Sequence, residues 1–213
     1  MLSFPLNFFT IHYYFIVQTY KVGVIPASAS SAASNNNNQQ QEDEHKQRTA
    51  EECVTDALAL GYRFLECAEF YNNEAEVGKA LKASGIPREE LFLCSKVWTT
   101  TIEKGPDAIR AQLDQTLRDL QTEYLDLYLV HWPVPGHHVE AYKTLQAILK
   151  ETPQKIRGIG VSNYAVEDIQ ELIHDPDITE LPLVNQIEIN PFLYRKKTID
   201  KCQEMGIVMQ SYR

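Results

Sequence analysis

Four polar residues at the ends of apolar segments have the types and spacing needed to move a proton. The stretch GYRFLECAEFY reads as a buried strand that ends at Glu66, and Tyr71 follows five residues later. Lys96 lies at the end of the apolar run LFLCSKV, and His131 follows LDLYLV. Side chains at the carboxyl ends of parallel barrel strands gather on one face. We therefore expect these four residues to lie close together.

The chemistry that this set predicts is delivery of a proton to a carbonyl oxygen. Tyrosine ordinarily has a pKa of about 10 and is a slow acid at neutral pH. A nearby ammonium such as Lys96 stabilises the phenolate and lowers that pKa. A buried ammonium in turn needs a carboxylate partner, a role open to Glu66. His131 can hydrogen-bond the carbonyl oxygen while a cofactor supplies a hydride to the carbon.

Each residue also has a purely structural or an alternative chemical interpretation. Tyr71 could cover the mouth of a barrel, His131 could be a hydrogen-bonded core histidine, and Glu66 could pair with Arg63 or Lys96 without catalytic consequence. A lysine that ends a barrel strand is also the nucleophile of Schiff-base lyases. The occurrence of tyrosine, carboxylate, lysine and histidine together favours the proton-delivery site.

Composition and charge narrow the class of protein. The apolar fraction of 44% and the charged fraction of 23% are ordinary for a globular domain. The net charge of -9 argues against broad nucleic-acid binding, which needs a basic surface. The four cysteines lack metal-site spacing, so we expect no metal site and interpret them as reduced core residues of a cytoplasmic protein: Cys53, Cys67, Cys94 and Cys202.

The first 48 residues differ in composition from the rest and are interpreted as an N-terminal extension. Residues 1–20 are aromatic-rich and carry no Lys, Arg, Asp or Glu. Because no basic residue precedes this apolar run, a membrane anchor is disfavoured, and we expect a poorly packed extension or a strand pair covering the barrel bottom. Residues 20–28 are a plausible first strand, and residues 27–48 form a low-complexity segment that predicts a flexible loop.

Strands and helices alternate from residue 49 onward. Thr49 and Glu52 predict a capping box at the start of the first helix. The predicted strands are 62–66, 91–97, 124–130, one that ends at Ser162–Asn163, 183–191 and 207–212. Helices are predicted at about 73–83, at about 138–150 and at 195–205, the last ended by Gly206. Another begins at Pro106, and its inward residues are Ile109, Leu113, Leu117 and Leu120. A further helix is capped by Asn163, and its inward residues are Ile169, Leu172 and Ile173.

This alternation predicts a parallel sheet with helical crossovers. A dinucleotide-binding Rossmann fold would carry a GxGxxG motif after an early strand, and the sequence has none there. We therefore predict an α/β protein with an incomplete (β/α)8 barrel of six convincing strands and a weak first one. Such a barrel has an open seam between its first and last strands.

The motifs over residues 49–213 resemble the aldo-keto reductase family. The resemblance rests on GYRFLECAEFYNNE, LFLCSKVW, LDLYLVHWP, GIGVSN, VNQIEINP and the terminal SY, in the family's order and spacing. It implies a (β/α)8 barrel that reduces a small-molecule aldehyde or ketone with a nicotinamide cofactor. The cofactor is usually NADPH, with NADH not excluded, and members bind it without a Rossmann domain.

The resemblance also implies roles for single residues. Tyr71 matches the catalytic tyrosine, Lys96 the lysine and His131 the histidine, while Glu66 stands where the family pattern has aspartate. The remaining matches are three contacts to the nicotinamide amide, one aromatic ring that stacks on the nicotinamide and one that lines the substrate pocket: Ser162, Asn163, Gln186, Tyr212 and Trp98 respectively.

Three departures from the family pattern set further expectations. Glu66 adds one methylene, so its carboxylate must fold back or Lys96 must shift. The glycine-rich motif of the first strand is not recognisable. The sequence ends at Arg213, so we expect the barrel-closing segment and the basic residues for the adenosine 2′-phosphate to be absent. A non-catalytic barrel that retains the motifs is therefore a second hypothesis, and the Schiff-base lyase a third.

Overall fold

Seven short strands form one parallel sheet in the computed structural model, which describes residues 16–19 and 48–212. Each strand pairs with its neighbours in sequence, so the order in the sheet is also the order in the chain. The strands are β1 (Ile16–Gln18), β2 (Phe64–Glu66), β3 (Phe92–Val97), β4 (Leu127–Val130), β5 (Ile159–Ser162), β6 (Val184–Glu188) and β7 (Val208–Tyr212).

Helices connect successive strands and cover one face of the sheet. They are α1 (Ala50–Ala59), α2 (Glu74–Ser84), α3 (Thr99–Ile102), α4 (Pro106–Asp119), α5 (His138–Glu151), α6 (Val166–His174) and α7 (Lys196–Glu204). The arrangement is that of a (β/α)8 barrel over seven strands, as the sequence predicts. Within residues 16–19 and 48–212, no helix has the length and apolar character needed to cross a bilayer.

The alternation of side chains along each strand produces two apolar layers. In β4, Tyr128 and Val130 point toward the helices and join the main core. Leu127 and Leu129 point to the other face and pack with Cys94 in a smaller inner cluster. A strand buried on both faces explains why the sequence reads there as a continuous apolar run.

Local sequence signals fix several element boundaries. The Thr49 side chain accepts a bond from the Glu52 amide, and the Glu52 side chain accepts one from the Thr49 amide, which confirms the predicted capping box. Pro106 is the first residue of α4, where its missing N–H costs no hydrogen bond. The predicted inward stripe of α4 is buried in full.

The first strand differs from the prediction. Residues 20–28, where a strand was expected, lie outside the described residues, as does all of the predicted loop 27–48 except Arg48. The strand that pairs with β2 is Ile16–Gln18, inside the segment interpreted as an extension. Thr19 continues this pairing, since its N–H and its hydroxyl both donate to the Glu66 carbonyl oxygen.

The predicted cap of α6 was also wrong. Asn163 lies three residues before the helix, with a positive φ of 64°, and the N-cap residue is Ala165. Asn tolerates this left-handed conformation better than most residues, which suits a sharp exit from a strand. Ile169 and Leu172 are buried as expected, whereas Ile173 is 37% exposed and does not belong to the core.

Candidate active site

All nine residues singled out in the sequence lie at one end of the sheet or in the loops that leave it. Glu66 and Ser162 are the last residues of β2 and β5, and Tyr212 is the last of β7. Lys96 is next to last in β3, His131 follows β4, and Gln186 is in β6. Because the strands are parallel, their carboxyl ends share one rim. The remaining three are Tyr71, Trp98 and Asn163.

Tyr71, Lys96 and Glu66 form a closed hydrogen-bonded triangle. The Lys96 ammonium donates to the Tyr71 hydroxyl oxygen over 3.0 Å and to Glu66 Oε1. The Tyr71 hydroxyl donates to the same Glu66 oxygen over 3.0 Å. A third bond from Lys96 Nζ reaches the Cys67 carbonyl oxygen at 3.2 Å. The predicted pairing of Glu66 with Lys96 is therefore present, and the longer glutamate side chain does not prevent it.

Charge pairing keeps the lysine protonated although it is buried. Burial alone would lower the pKa of Lys96, because a charged group loses its hydration. The negative charge of Glu66, and that of an ionised Tyr71, outweigh this and raise the pKa of Lys96 above its ordinary value. The site therefore holds an ammonium next to the tyrosine hydroxyl.

His131 is buried beside the triangle and is neutral. Its pKa is lowered from 6.5 to about 3, chiefly by burial and further by the charge of Lys96. The ring meets Tyr71 edge-on, with 5.9 Å between ring centroids, and Trp98 likewise at 4.9 Å. A neutral imidazole beside the tyrosine has one N–H to offer to a ligand oxygen.

A three-residue 3-10 turn, Glu69–Tyr71, contributes two site residues that the sequence analysis missed. Glu69 accepts bonds from the Trp98 backbone N–H and the Thr101 hydroxyl, both at 2.6 Å. Phe70 stacks on the Trp98 ring with 4.0 Å between centroids, and it is half exposed. The sequence signal that could have identified Glu69 and Phe70 is their position between Glu66 and Tyr71.

Ser162, Asn163, Gln186 and Tyr212 form a second hydrogen-bonded group. The Asn163 amide donates to the His131 carbonyl oxygen and to Ser162 Oγ, both at 3.0 Å. Its Oδ1 accepts a 2.5 Å bond from the Tyr212 hydroxyl. Ser162 donates to the Gln186 carbonyl oxygen. Asn163 therefore braces the ends of β4, β5 and β7.

The Gln186 side chain joins this second group to the triangle. Its Nε2 donates to Glu66 Oε2 over 3.0 Å, across the barrel interior. The sequence gave no indication of this contact, since the two residues are 120 positions apart.

The side chains of this second group have the chemistry needed to bind the nicotinamide end of a dinucleotide. Two amides and a hydroxyl can exchange hydrogen bonds with a carboxamide, and the Tyr212 ring offers a flat apolar face. Across the part of the chain that the structure describes, no cluster of His, Cys, Asp or Glu has the arrangement of a metal site.

Comparison with known proteins shows which family this chain resembles. The sequence model of the Aldo/keto reductase family matches residues 32–213. Glyoxal reductase of Bacillus subtilis is 40% identical over 163 residues, which cover 76% of this chain and 57% of the relative. Aldehyde reductase YPR1 of Saccharomyces cerevisiae is 37% identical over 185 residues, covering 75% of this chain and 58% of the relative.

Solved structures agree with the sequence comparisons. The crystal structure of an aldo/keto reductase from Brucella melitensis superposes with a TM-score of 0.71 at 32% identity. The match covers 76% of this chain and 62% of the Brucella chain. The chain thus spans between half and two thirds of the length of each of these relatives.

Proposed function

This chain belongs to the Aldo/keto reductase family, and from that premise we propose that it reduces an aldehyde or ketone to an alcohol with a hydride from NADPH. NADH remains the alternative cofactor. The observation that carries the proposal is the Tyr71 hydroxyl, which accepts a bond from an ammonium and donates one to a carboxylate. The ammonium contact favours loss of the tyrosine proton, because a positive charge stabilises the phenolate. To act as the acid, the hydroxyl turns from Glu66 to the substrate oxygen when substrate binds.

In this proposal Tyr71 gives its proton to the substrate oxygen. The phenolate that remains lies 3.0 Å from Lys96 Nζ, whose positive charge stabilises it. Glu66 holds Lys96 in its charged form, since a buried ammonium without a partner tends to lose its proton. The neutral His131 ring donates its N–H to the same substrate oxygen and holds the developing negative charge.

The cofactor supplies the hydride, a chemistry that no side chain provides. Ser162, Asn163 and Gln186 would hold the nicotinamide carboxamide, and Tyr212 would pack against the ring. Trp98 would line the substrate pocket, with Phe70 stacked against it. Because relatives are named glyoxal reductase and aldehyde reductase, we propose small aldehydes as the first substrates to assay.

We expect Tyr71→Phe to abolish carbonyl reduction. The change removes one hydroxyl and with it the proton-transfer step, at a cost on the order of 10²-fold or more in kcat. Oxidation of NADPH in the presence of glyoxal or 4-nitrobenzaldehyde measures the rate. Tyr124→Phe is the matched control, because Tyr124 precedes β4 at the opposite end of the barrel. A Tyr71→Phe variant that keeps most of the parent rate would show that Tyr71 is not the acid.

The Schiff-base lyase and the non-catalytic barrel each predict a result that distinguishes them from a reductase. A Schiff-base lyase needs an unprotonated amine, whereas Lys96 is buried, donates three hydrogen bonds and has a raised pKa. We therefore expect borohydride to trap no carbonyl compound on Lys96. A parent chain that shows no turnover and no NADPH binding by tryptophan fluorescence would instead support the non-catalytic barrel.

Two further proposals concern the cellular location of the protein and the division of its chain. We propose a cytoplasmic location, supported by the four free cysteines. We also propose that residues 49–213 carry the barrel function and that most of residues 1–48 form an extension. Localisation of a tagged chain by microscopy tests the first proposal. Activity of a chain that lacks residues 1–13, and so keeps β1, tests the second.

A further inference from the structure

The carboxylate of Glu66 serves both hydrogen-bonded groups at once. Its Oε1 accepts from Lys96 and Tyr71, and its Oε2 accepts from Gln186 Nε2 at 3.0 Å. Glu66 and Gln186 are each 2% exposed, so water does not compete for this bond. One side chain therefore ties together residues of β2, β3 and β6, although β2 and β6 are not neighbours in the sheet.

This contact decides which way the Gln186 amide faces. An ionised carboxylate only accepts hydrogen bonds, so the amide must turn its NH₂ group toward Glu66. The amide carbonyl oxygen is then directed away from Glu66. Without the carboxylate, the two orientations of a glutamine amide differ little in shape. Glu66 thus fixes which end of the Gln186 amide remains as an acceptor for other groups.

The length of the glutamate side chain is what makes the contact. Aspartate at position 66 would be shorter by one carbon–carbon bond, about 1.5 Å. With the backbone in place, the distance to Gln186 Nε2 would then exceed the range of a hydrogen bond, which ends near 3.2 Å. The 3.0 Å bond from Tyr71 would lengthen in the same way, so the shorter carboxylate would keep its negative charge near Lys96 but lose close contact with both neutral partners.

We propose that Glu66 is a positioning residue for Gln186, and that through this contact the residue at position 66 sets cofactor affinity. This inference rests on the proposed function, because Gln186 is one of the residues that would hold the nicotinamide carboxamide. A preset acceptor binds a carboxamide NH₂ without first losing rotational freedom. Replacing Glu66 by aspartate then weakens cofactor binding, while a negative charge remains near Lys96.

The contact itself is tested without cofactor by a double-mutant cycle on thermal unfolding. The variants are Glu66→Asp, Gln186→Met and the double variant, with Glu123→Asp as an exposed control at the other end of the barrel. We expect each single change to lower Tm, and the double variant to lower it by at least about 2 °C less than the sum of the two. Additive changes in Tm would mean that the two side chains do not interact.

Cofactor titration tests the consequence. We expect Glu66→Asp to raise the Kd for NADPH about three- to tenfold, in line with one lost hydrogen bond. In the Gln186→Met background the same change should leave Kd unaltered. Equal weakening in both backgrounds would overturn the proposal. A parent chain that binds no NADPH would refute both the proposed function and the cofactor role of Glu66, and the Tm cycle would still decide the contact.

Discussion

The Tyr71 hydroxyl has an ammonium on one side and a carboxylate on the other, while the neutral imidazole of His131 stands beside it. A charged ammonium and a neutral imidazole therefore lie close to the same hydroxyl. Each follows from its surroundings: Lys96 is charged because Glu66 is near, and His131 is neutral because it is buried and repelled by Lys96. Groups held in such distinct states suit separate roles in one reaction.

His131 should make no contribution to the pH dependence of activity between pH 5 and 8. Its folded-state pKa of about 3 lies below this range, so the ring stays neutral throughout. We expect His131→Gln, which keeps a neutral N–H donor, to lower kcat by about tenfold, less than full loss of such a donor. The ratio of parent to variant kcat should stay constant across the range. A ratio that changes more than threefold near pH 6.5 would show that His131 titrates there.

At the residue scale, the sequence identified side chains better than it identified their partners. Lys96 and His131 could be predicted because such side chains are seldom buried at strand ends without a partner. Tyr71 could be predicted from its position five residues after Glu66, where β2 ends. The bond between Glu66 and Gln186 could not, since it depends on the width of the barrel and the length of one side chain. Asn163 was misinterpreted because an Asn before a helix satisfies the cap pattern, and only the backbone angle reveals the left-handed turn.

At the opposite end of the sheet, a second charged cluster connects the strands β3, β4 and β5. Asp126, just before β4, accepts bonds from the Leu93 amide at 2.9 Å and from Arg88 at 2.7 Å. Arg157, before β5, reaches the other oxygen of Asp126 at 3.3 Å. The two guanidinium groups also lie over the Tyr124 ring, at 3.8 and 3.7 Å from its centroid. This cluster holds the starts of β3, β4 and β5 in register.

Asp126→Asn should destabilise the fold without changing the chemistry of the site. The amide carries no negative charge for the two guanidinium groups. Its one oxygen can serve Arg88 and the Leu93 N–H only by turning the NH₂ group toward Arg157. We expect a loss of about 2 kcal/mol, because Arg157 is half exposed and its share is screened by solvent. For a chain of this length that loss corresponds to a fall in Tm of about 4–8 °C.

Differential scanning calorimetry measures this effect. Asp200→Asn is the matched control, since Asp200 pairs with Lys196 on the surface of α7. Surface pairs of that kind contribute little, so its Tm should shift by about 2 °C or less. An Asp126→Asn variant that melts like the control would show that the cluster does not stabilise the sheet.

Among the elements, β1 shows where the sequence signal was too weak. Helices and strands from residue 49 onward were predicted to within a few residues, since apolar periodicity and caps mark their ends. β1 is only three residues long, and the sequence around it does not alternate between polar and apolar residues. Its pairing with β2 provides the evidence for a strand there, and pairing is a tertiary property.

For the whole molecule, the buried carboxyl of Glu74 links stability to pH. Glu74 lies in the first turn of α2 and accepts bonds from Ser95 in β3 at 2.6 Å and from Thr116 in α4 at 2.9 Å. Burial raises its pKa from 4.5 to about 7, although the two hydroxyl groups oppose this. Folding therefore favours the protonated form of this residue.

Stability should fall as the pH rises from about 4.5 to 7 through the contribution of Glu74. In this window the unfolded chain has released the Glu74 proton and the folded chain still binds it, so the slope is negative. The full effect is on the order of 3 kcal/mol. Glu74→Gln stays neutral and lacks this component. The free energy of unfolding of the parent, relative to that variant, should therefore decrease between pH 4.5 and 8.

Urea unfolding at pH 4.5, 6 and 8 measures the difference. Glu89→Gln, at an exposed position, is the control, and its difference from the parent should not depend on pH. A constant difference between parent and Glu74→Gln would mean that Glu74 ionises in the folded chain as it does in the unfolded one.

If Tyr71 is the acid, as proposed, the turn Glu69–Tyr71 joins it directly to the aromatic side chains proposed to line the substrate pocket. Glu69 holds the start of α3, Phe70 covers Trp98, and Tyr71 carries the hydroxyl. A library that randomises position 70 alone would leave Trp98 without its stacking partner, and one that exchanges the whole turn would lose Tyr71. Directed evolution toward new carbonyl compounds should therefore vary Phe70 and Trp98 as a pair, with Glu69 and Tyr71 held constant.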